Sequence, residues 1–202
     1  MEQTGRDRVS QQEGFECAAC RILPCDDSSL GAAAELLNAG GVAVIPTDTV
    51  YGLAAHPSFP DAVARLYSIK GRESGKKIAL LASGPEAVEE FGFPFSPAAK
   101  ELAERHWPGA LTMVLGDEGF RVPAHAWTRR LLAKCGGVLR VTSANLSGGS
   151  PATDAPQALA DVGLSADIVV DDGASPGGVA STVVRVGAAG EIEVLRKGAI
   201  EI

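Results

Sequence analysis

Long apolar runs are missing from this 202-residue chain. No stretch approaches the ~20 residues that a bilayer-spanning helix needs. The segment from Met1 to Glu16 is polar and mixed in charge, unlike a secretory leader, so the expected compartment is the cytoplasm, with no membrane partner. Basic residues are scarce as well. Lys and Arg number 18 against 25 Asp and Glu, a formal net charge of -7. Nucleic-acid binders usually carry a basic surface, which disfavours RNA or DNA as the main ligand, although a local basic groove fits within an acidic total. Aromatic residues make up 5% and do not interleave with the cations. Single-stranded RNA normally wants such stacking platforms.

Familiar catalytic and metal motifs are absent too. Cys17-Ala18-Ala19-Cys20 has zinc-ligand spacing, but no second CxxC or histidine pair completes a site. Cys17, Cys20, Cys25 and Cys135 are therefore expected to be ordinary reduced thiols, and no metal ligand is assigned. Gly71-Arg72-Glu73-Ser74-Gly75-Lys76-Lys77 has only three residues between its glycines and no Ser or Thr after the lysine, so it is not a Walker A loop. No GxGxxG follows a strand. His56, His106 and His125 lack a Ser or Cys partner in motif spacing, which leaves little support for covalent catalysis.

What is present reads as one α/β (α+β) domain. The content of 46% hydrophobic and 21% charged residues is ordinary for a globular protein, and the length suffices for one real core. Residues 1–25 read as an N-terminal tail or extension, and 26–202 as the domain. Asp27-Ser28 can cap a helix whose Leu30, Ala33, Ala34 and Leu37 share a face, ended by Gly40-Gly41. A strand follows at Val42–Ile45. Further helices are predicted from Pro60 to about Lys70, near Glu86–Phe91, from Ser96 to His106, over Ala124–Cys135 and after Asp154. Further strands are predicted at Ile78–Ala82, Leu111–Leu115, Phe120–Val122, Val138–Thr142, Ile168–Val170, Thr182–Val186 and Ile192–Leu195.

Polar clusters sit at several strand ends, where open α/β sheets commonly bind ligands. Thr47-Asp48-Thr49-Val50-Tyr51 follows the strand Val42–Ile45. The others are Lys70-Gly71-Arg72, Pro108-Gly109-Ala110-Leu111-Thr112, Ser143-Ala144-Asn145, Ala180-Ser181-Thr182 and Arg196-Lys197-Gly198. Each alone reads as a turn or a solvated charge. As a set, hydroxyls, amides and a few cations suit a polyphosphate together with a small zwitterion. At Thr49 two readings stand open: the hydroxyl holds a substrate, or it satisfies the local backbone after the strand.

Pro46-Thr47-Asp48-Thr49-Val50-Tyr51-Gly52-Leu53 resembles the signature of the YrdC-like threonylcarbamoyl-AMP synthase family. Lys70-Gly71-Arg72 with Ser143-Ala144-Asn145 resembles that family's KxR…SxN pattern. Trp107 to Thr112, Ser181 to Val184 and Leu195 to Ile200 match further family segments in the same order, so the resemblance runs from about Leu30 to Ile200. It implies a twisted, mixed, open sheet flanked by helices around a concave, positively charged cavity. It also implies an activity: L-threonine, bicarbonate and ATP give threonylcarbamoyl-AMP and pyrophosphate, and a separate transferase moves the threonylcarbamoyl group to tRNA. Mg²⁺ is expected with the ATP, and a weak direct tRNA contact is compatible.

The resemblance assigns residues. Lys70, Arg72, Ser143 and Asn145 fall on the catalytic KxR and SxN positions. Thr49, Ser181 and Arg121 fall on substrate-contacting positions, and Arg72, Lys76, Thr112, Ser143, Asn145, Thr153 and Arg196 on nucleotide-facing ones. Three departures accompany it. Only Gly116-Asp117-Glu118-Gly119 separates Leu115 from Phe120, where the family usually carries a longer segment, so the site is expected to be more open. Ala180 stands where glutamate is common, and apolar residues around Leu81 stand where some members have a histidine. Two other readings are weighed: a non-catalytic RNA-binding module of the same fold, and a carbamoyl-transfer domain related to hydrogenase maturation proteins.

Overall fold

In the computed structural model, which describes residues 21–73, 75 and 77–202, the cap of the first helix lies one residue earlier than expected. Asp26, not Asp27, is the N-cap of α1 (Asp27–Asn38), which follows strand β1 (Arg21–Pro24). The Asp26 carboxylate accepts from the Ser28 and Ser29 amides, and the Ser29 side chain reaches back to the Asp26 amide, a capping box that satisfies otherwise unpaired donors. The residues of β1 were assigned to the tail by sequence. They are sheet instead, because β1 pairs in parallel with a late strand of the chain. The remainder of that tail, with Cys17 and Cys20, lies outside the described residues.

The chain continues through β2 (Val42–Ile45), β3 (Gly52–Ala55), α2 (Pro60–Lys70), β4 (Leu80–Ala82), α3 (Pro85–Glu90) and α4 (Pro97–His106). It then forms β5 (Leu111–Leu115), β6 (Glu118–Arg121), α5 (Ala126–Lys134), β7 (Val138–Ser143), α6 (Ala155–Asp161), β8 (Ile168–Asp171), β9 (Thr182–Val186) and β10 (Ile192–Arg196). The ten strands of the described residues make one mixed sheet in the order β1-β8-β2-β3-β7-β4-β6-β5-β9-β10. None of the helices among the described residues is long and apolar enough to cross a membrane.

Strand alternation decides what each face of the sheet does. In β2, Val42 and Val44 pack against α2 and α6, whereas Ala43 and Ile45 pack against α1 and α5. Both faces are covered, so all four residues are buried. Across the sheet, Leu80, Leu111, Met113, Phe120, Val184 and Val186 bury into α3 and α4. Their neighbours Leu81, Thr112, Val114, Arg121 and Val183 project to the opposite face, where they line a cleft of about 440 Å³. The cleft is thus the part of the α1–α5 face that lies over β4, β5, β6 and β9.

The four residues between Leu115 and Phe120 are not a loop. Leu115 pairs with Glu118, so β5 and β6 form a hairpin whose turn is Gly116-Asp117 alone, with Gly116 at φ +59°. Glu118 and Gly119 belong to β6.

Candidate active site

The turn after β2 is built on a threonine, but a different one from Thr49. The Thr47 hydroxyl donates to Val50 O at 2.6 Å and accepts from the Thr49 and Val50 amides at 3.2 and 3.3 Å. Thr47 therefore satisfies the backbone that the sequence reading had offered to Thr49. Thr49 Oγ1 lies 3.1 Å from Thr47 Oγ1. Because the Thr47 proton goes to Val50 O, Thr49 is the donor in that pair. Its own lone pair accepts from Arg121 Nη1 at 2.7 Å.

Arg121, at the end of β6, is 6% exposed. Its guanidinium also donates to Gly109 O at 2.9 Å through Nε, and Nη2 pairs with Asp48. Burial lowers its pKa, and the Asp48 carboxylate acts against that shift. Three of its five N–H groups are used in these bonds, which leaves N–H donors on an arginine that lines the cleft. Asp48 was not singled out by sequence. The signal was its place inside the Thr47–Tyr51 cluster, since a buried guanidinium demands an anionic partner.

Opposite this turn, Thr112 Oγ1 and Ser181 Oγ are 2.8 Å apart, one from β5 and one from the residue before β9. Arg196, at the end of β10, donates to Ser181 O at 2.8 Å and lies 3.4 Å from Ser181 Oγ. Burial and the charge of Arg72 both lower the Arg196 pKa, and Arg72, Arg121 and Arg196 all line the same cavity. Gly71 closes α2 with φ +58°, a left-handed cap that turns the chain so that Arg72 leaves the helix toward the cleft. Arg72 Nη2 donates to Lys77 O at 3.3 Å. At the rim, Lys77 pairs with Asp117 and Glu118, and Glu118 with Arg140.

Lys70 is placed differently from a phosphate ligand. It is 3% exposed at the end of α2, and its ammonium donates to the carbonyls of Ser143 and Asn145, with Ser143 Oγ at 3.4 Å. Burial, and secondarily the charge of Arg72, brings its pKa down to about 8. Asn145 Nδ2 donates to Leu146 O and Gly149 O at 2.8 and 2.9 Å, whereas its buried Oδ1 has no hydrogen-bond partner. Lys70, Arg72, Ser143 and Asn145 surround a second hollow of about 340 Å³, and Arg72 and Ser143 belong to both.

Of the residues assigned by sequence, Thr49, Arg72, Thr112, Arg121, Ser143, Ser181 and Arg196 line one cleft, joined through Arg72 and Ser143 to Lys70 and Asn145. Thr153 is not among the lining residues. Its hydroxyl donates to Gln157 Oε1 at 3.2 Å, at the start of α6. Lys76 lies outside the described residues. Leu81 and Ala180, the two departures at single positions, both line the cleft. Four described cations and one carboxylate, Asp117, face it, so the cavity is positive within an acidic protein.

Residues 35–198 match the Sua5/YciO/YrdC family model, which carries the description "Telomere recombination". The chain belongs to this family. A Bacillus subtilis member named threonylcarbamoyl-AMP synthase is 34% identical over 80% of this chain, which spans about half (51%) of that relative. A rat protein of the same name is 30% identical over 95% of this chain and 74% of its own length. Among solved structures, P. abyssi Sua5 complexed with L-threonine superposes with a TM-score of 0.80 at 27% identity, over 88% of this chain and 57% of that one. The mixed open sheet and concave cavity implied by the sequence resemblance are those of the Sua5/YciO/YrdC fold.

Proposed function

We propose that this protein is an L-threonylcarbamoyladenylate synthase, which makes threonylcarbamoyl-AMP and pyrophosphate from L-threonine, bicarbonate and ATP. The observation that carries the reading is the gathering of Thr49, Arg72, Thr112, Arg121, Ser143, Ser181 and Arg196 around one positive cleft in a chain of this family.

The chemistry needs no nucleophilic side chain. The threonine amine and bicarbonate condense to a carbamate with loss of water. A carbamate oxygen then attacks the α-phosphorus, and pyrophosphate leaves with the electron pair of the broken P–O bond. Positioning and charge stabilisation are what the protein must supply. Arg121, held by Asp48, Thr49 and Gly109, presents its remaining N–H groups to the amino-acid carboxylate. Arg72 and Arg196 receive the phosphates. The Thr112–Ser181 hydroxyl pair, hydrogen-bonded to each other, offers its remaining proton and lone pairs to a ligand in the cleft. Lys70 acts from beneath, fixing the Ser143–Asn145 segment through its carbonyls.

Mg²⁺ is a hard cation that favours oxygen ligands and keeps much of its water. The unpartnered buried oxygen of Asn145 and the hydroxyl-rich lining fit such an ion arriving with the polyphosphate. When bound it would neutralise phosphate charge; Asn145 and Ser143 are the residues that would face it. The product would pass to a transferase that acts on tRNA, in the cytoplasm, and a weak contact with tRNA at the positive cleft belongs to the same proposal.

The test is pyrophosphate release from ATP. Release that requires both threonine and bicarbonate is expected. Release that ignores either one would overturn the assignment.

A further inference from the structure

Cys25, His125 and Asp172 line neither cavity and have no role in the chemistry above, yet they meet. His125 Nε2 lies 2.9 Å from Asp172 Oδ2, and the Cys25 thiol stands beside the same carboxylate. One donor atom from each of the three falls within 4.8 Å of the others. The cluster joins three separate elements. Cys25 directly follows β1, His125 is the N-cap of α5, and Asp172 directly follows β8.

Each backbone is held independently of the side chains. The Cys25 amide donates to Asp171 O at 2.9 Å, and the Asp172 amide donates to Tyr51 OH at 3.0 Å. The histidine ring is also oriented from behind. Thr128 Oγ1 gives its proton to Pro46 O at 2.7 Å and lies 3.0 Å from His125 Nδ1, so it can accept a proton from that nitrogen. In that tautomer Nε2 turns its lone pair to the cluster, the arrangement that metal-bound histidines adopt. The exchange gives up the 3.2 Å bond from the Thr128 amide to Nδ1.

We propose that Cys25, His125 and Asp172 form a zinc site, with water as the fourth ligand. One sulfur, one imidazole nitrogen and one carboxylate oxygen match the mixed preference of Zn²⁺ and match neither Mg²⁺ nor Ca²⁺. A tetrahedral zinc holds its donors roughly 3.3–3.8 Å apart, so His125 and Asp172, now at 2.9 Å, open slightly to admit the metal, and any donors still near the 4.8 Å limit close by about 1 Å. The Asp172 side chain is 47% exposed and free to make that adjustment. On binding, the Cys25 S–H bond breaks and its proton leaves to solvent as the thiolate takes the metal.

The site has a structural purpose in the fold. Residues 172–180 run from the cluster back to Ser181 in the cleft. On the way, Gly177 passes so close to the turn after β2 that a Cβ there would stand 2.6 Å from Asp48 O. Zinc at Asp172 ties the start of this strap to β1 and α5, and so steadies the segment that leans on Asp48 and Thr49.

The test uses the full reduced chain, stripped by a chelator and titrated with Co²⁺, which reports thiolate ligation by its charge-transfer absorption. One equivalent is expected to bind and to be displaced by Zn²⁺. The band should survive in a Cys17→Ser, Cys20→Ser double variant and vanish in Cys25→Ser. Affinity should fall at least tenfold in Asp172→Asn and in His125→Asn, which keeps a capping side chain. Alkylation mapping of the unmutated chain avoids dependence on variant folding: Zn²⁺ should protect Cys25. A chain that shows no band, a band that persists without Cys25 or disappears without Cys17 and Cys20, affinity indifferent to His125 and Asp172, or Cys25 alkylated equally with and without zinc would each overturn the proposal.

Discussion

Arg121 Nη1 donates to Thr49 Oγ1 at 2.7 Å, across 72 positions of sequence. The threonine after β2 and the arginine at the end of β6 are therefore one unit, with the hydroxyl on one side and a guanidinium edge on the other. Thr49→Val keeps the shape and removes the acceptor. It is expected to cost about 1–3 kcal/mol, because a buried charged donor loses its partner, and also to raise the threonine concentration needed for pyrophosphate release. Paired urea melts and threonine titrations check this. A loss of stability with unchanged threonine dependence would remove Thr49 and Arg121 from the amino-acid site.

Arg72→Ala is expected to weaken ATP far more than threonine, because a charge-assisted phosphate contact is worth about 1.5–3 kcal/mol, roughly 10- to 150-fold in affinity. Arg72→Lys should restore only part of it, since the planar fork is lost. Calorimetry with each substrate decides; equal weakening of both would assign Arg72 to the fold.

Thr112 and Ser181 make a testable pair. Their hydroxyls are 2.8 Å apart and buried, so Thr112→Val and Ser181→Ala should be non-additive in stability, with a coupling of about 0.5–1.5 kcal/mol in a double-mutant cycle. Denaturation of the four proteins measures it. Additive losses would mean that the hydroxyls bond to something other than each other.

Lys70 gives a pH dependence with a definite sign. Its folded pKa of about 8 lies below the unfolded 10.5, so the unfolded chain binds more protons between those values. Stability from this group therefore rises as pH climbs from about 8 to 10.5 and is flat below 8. The whole contribution is at most on the order of 3 kcal/mol. Lys70→Met should lose this rise while keeping the remaining pH profile, as urea melts at pH 7, 8, 9 and 10 would show. An identical slope in both proteins would mean that Lys70 does not titrate there.

The sequence was most legible where a period was strong. The buried face of α1 and the run Val42–Ile45 read directly, because two covered faces leave a continuous apolar strand. β3 was missed because Gly52-Leu53-Ala54-Ala55 carries no β-branched residue. β1 was missed because three of its four residues are exposed at the sheet edge, so no alternation is visible. At the site, the motifs brought Thr49, Thr112, Ser143 and Ser181 to one cavity correctly. The carbonyl partners of Lys70 were not readable, since they lie 73 and 75 positions away. The Gly116–Gly119 segment looked like a truncated loop and is a hairpin, because strand pairing continues through Glu118.

The alternation in β5, β6 and β9 has a consequence for how this protein can change over generations. Thr112 and Met113, Arg121 and Phe120, and Val183 and Val184 are neighbours that serve opposite masters, one the ligand and the other the core. A point replacement alters one of the two faces at a time. An insertion or deletion of one codon inside any of these strands would carry arginine and threonine into the packing against α4 and push methionine and phenylalanine into the cleft at the same stroke. Length variation in these strands is thus confined to their ends, and the two-residue turn at Gly116-Asp117 is where a lineage can lengthen or shorten the rim without exchanging the interior for the site.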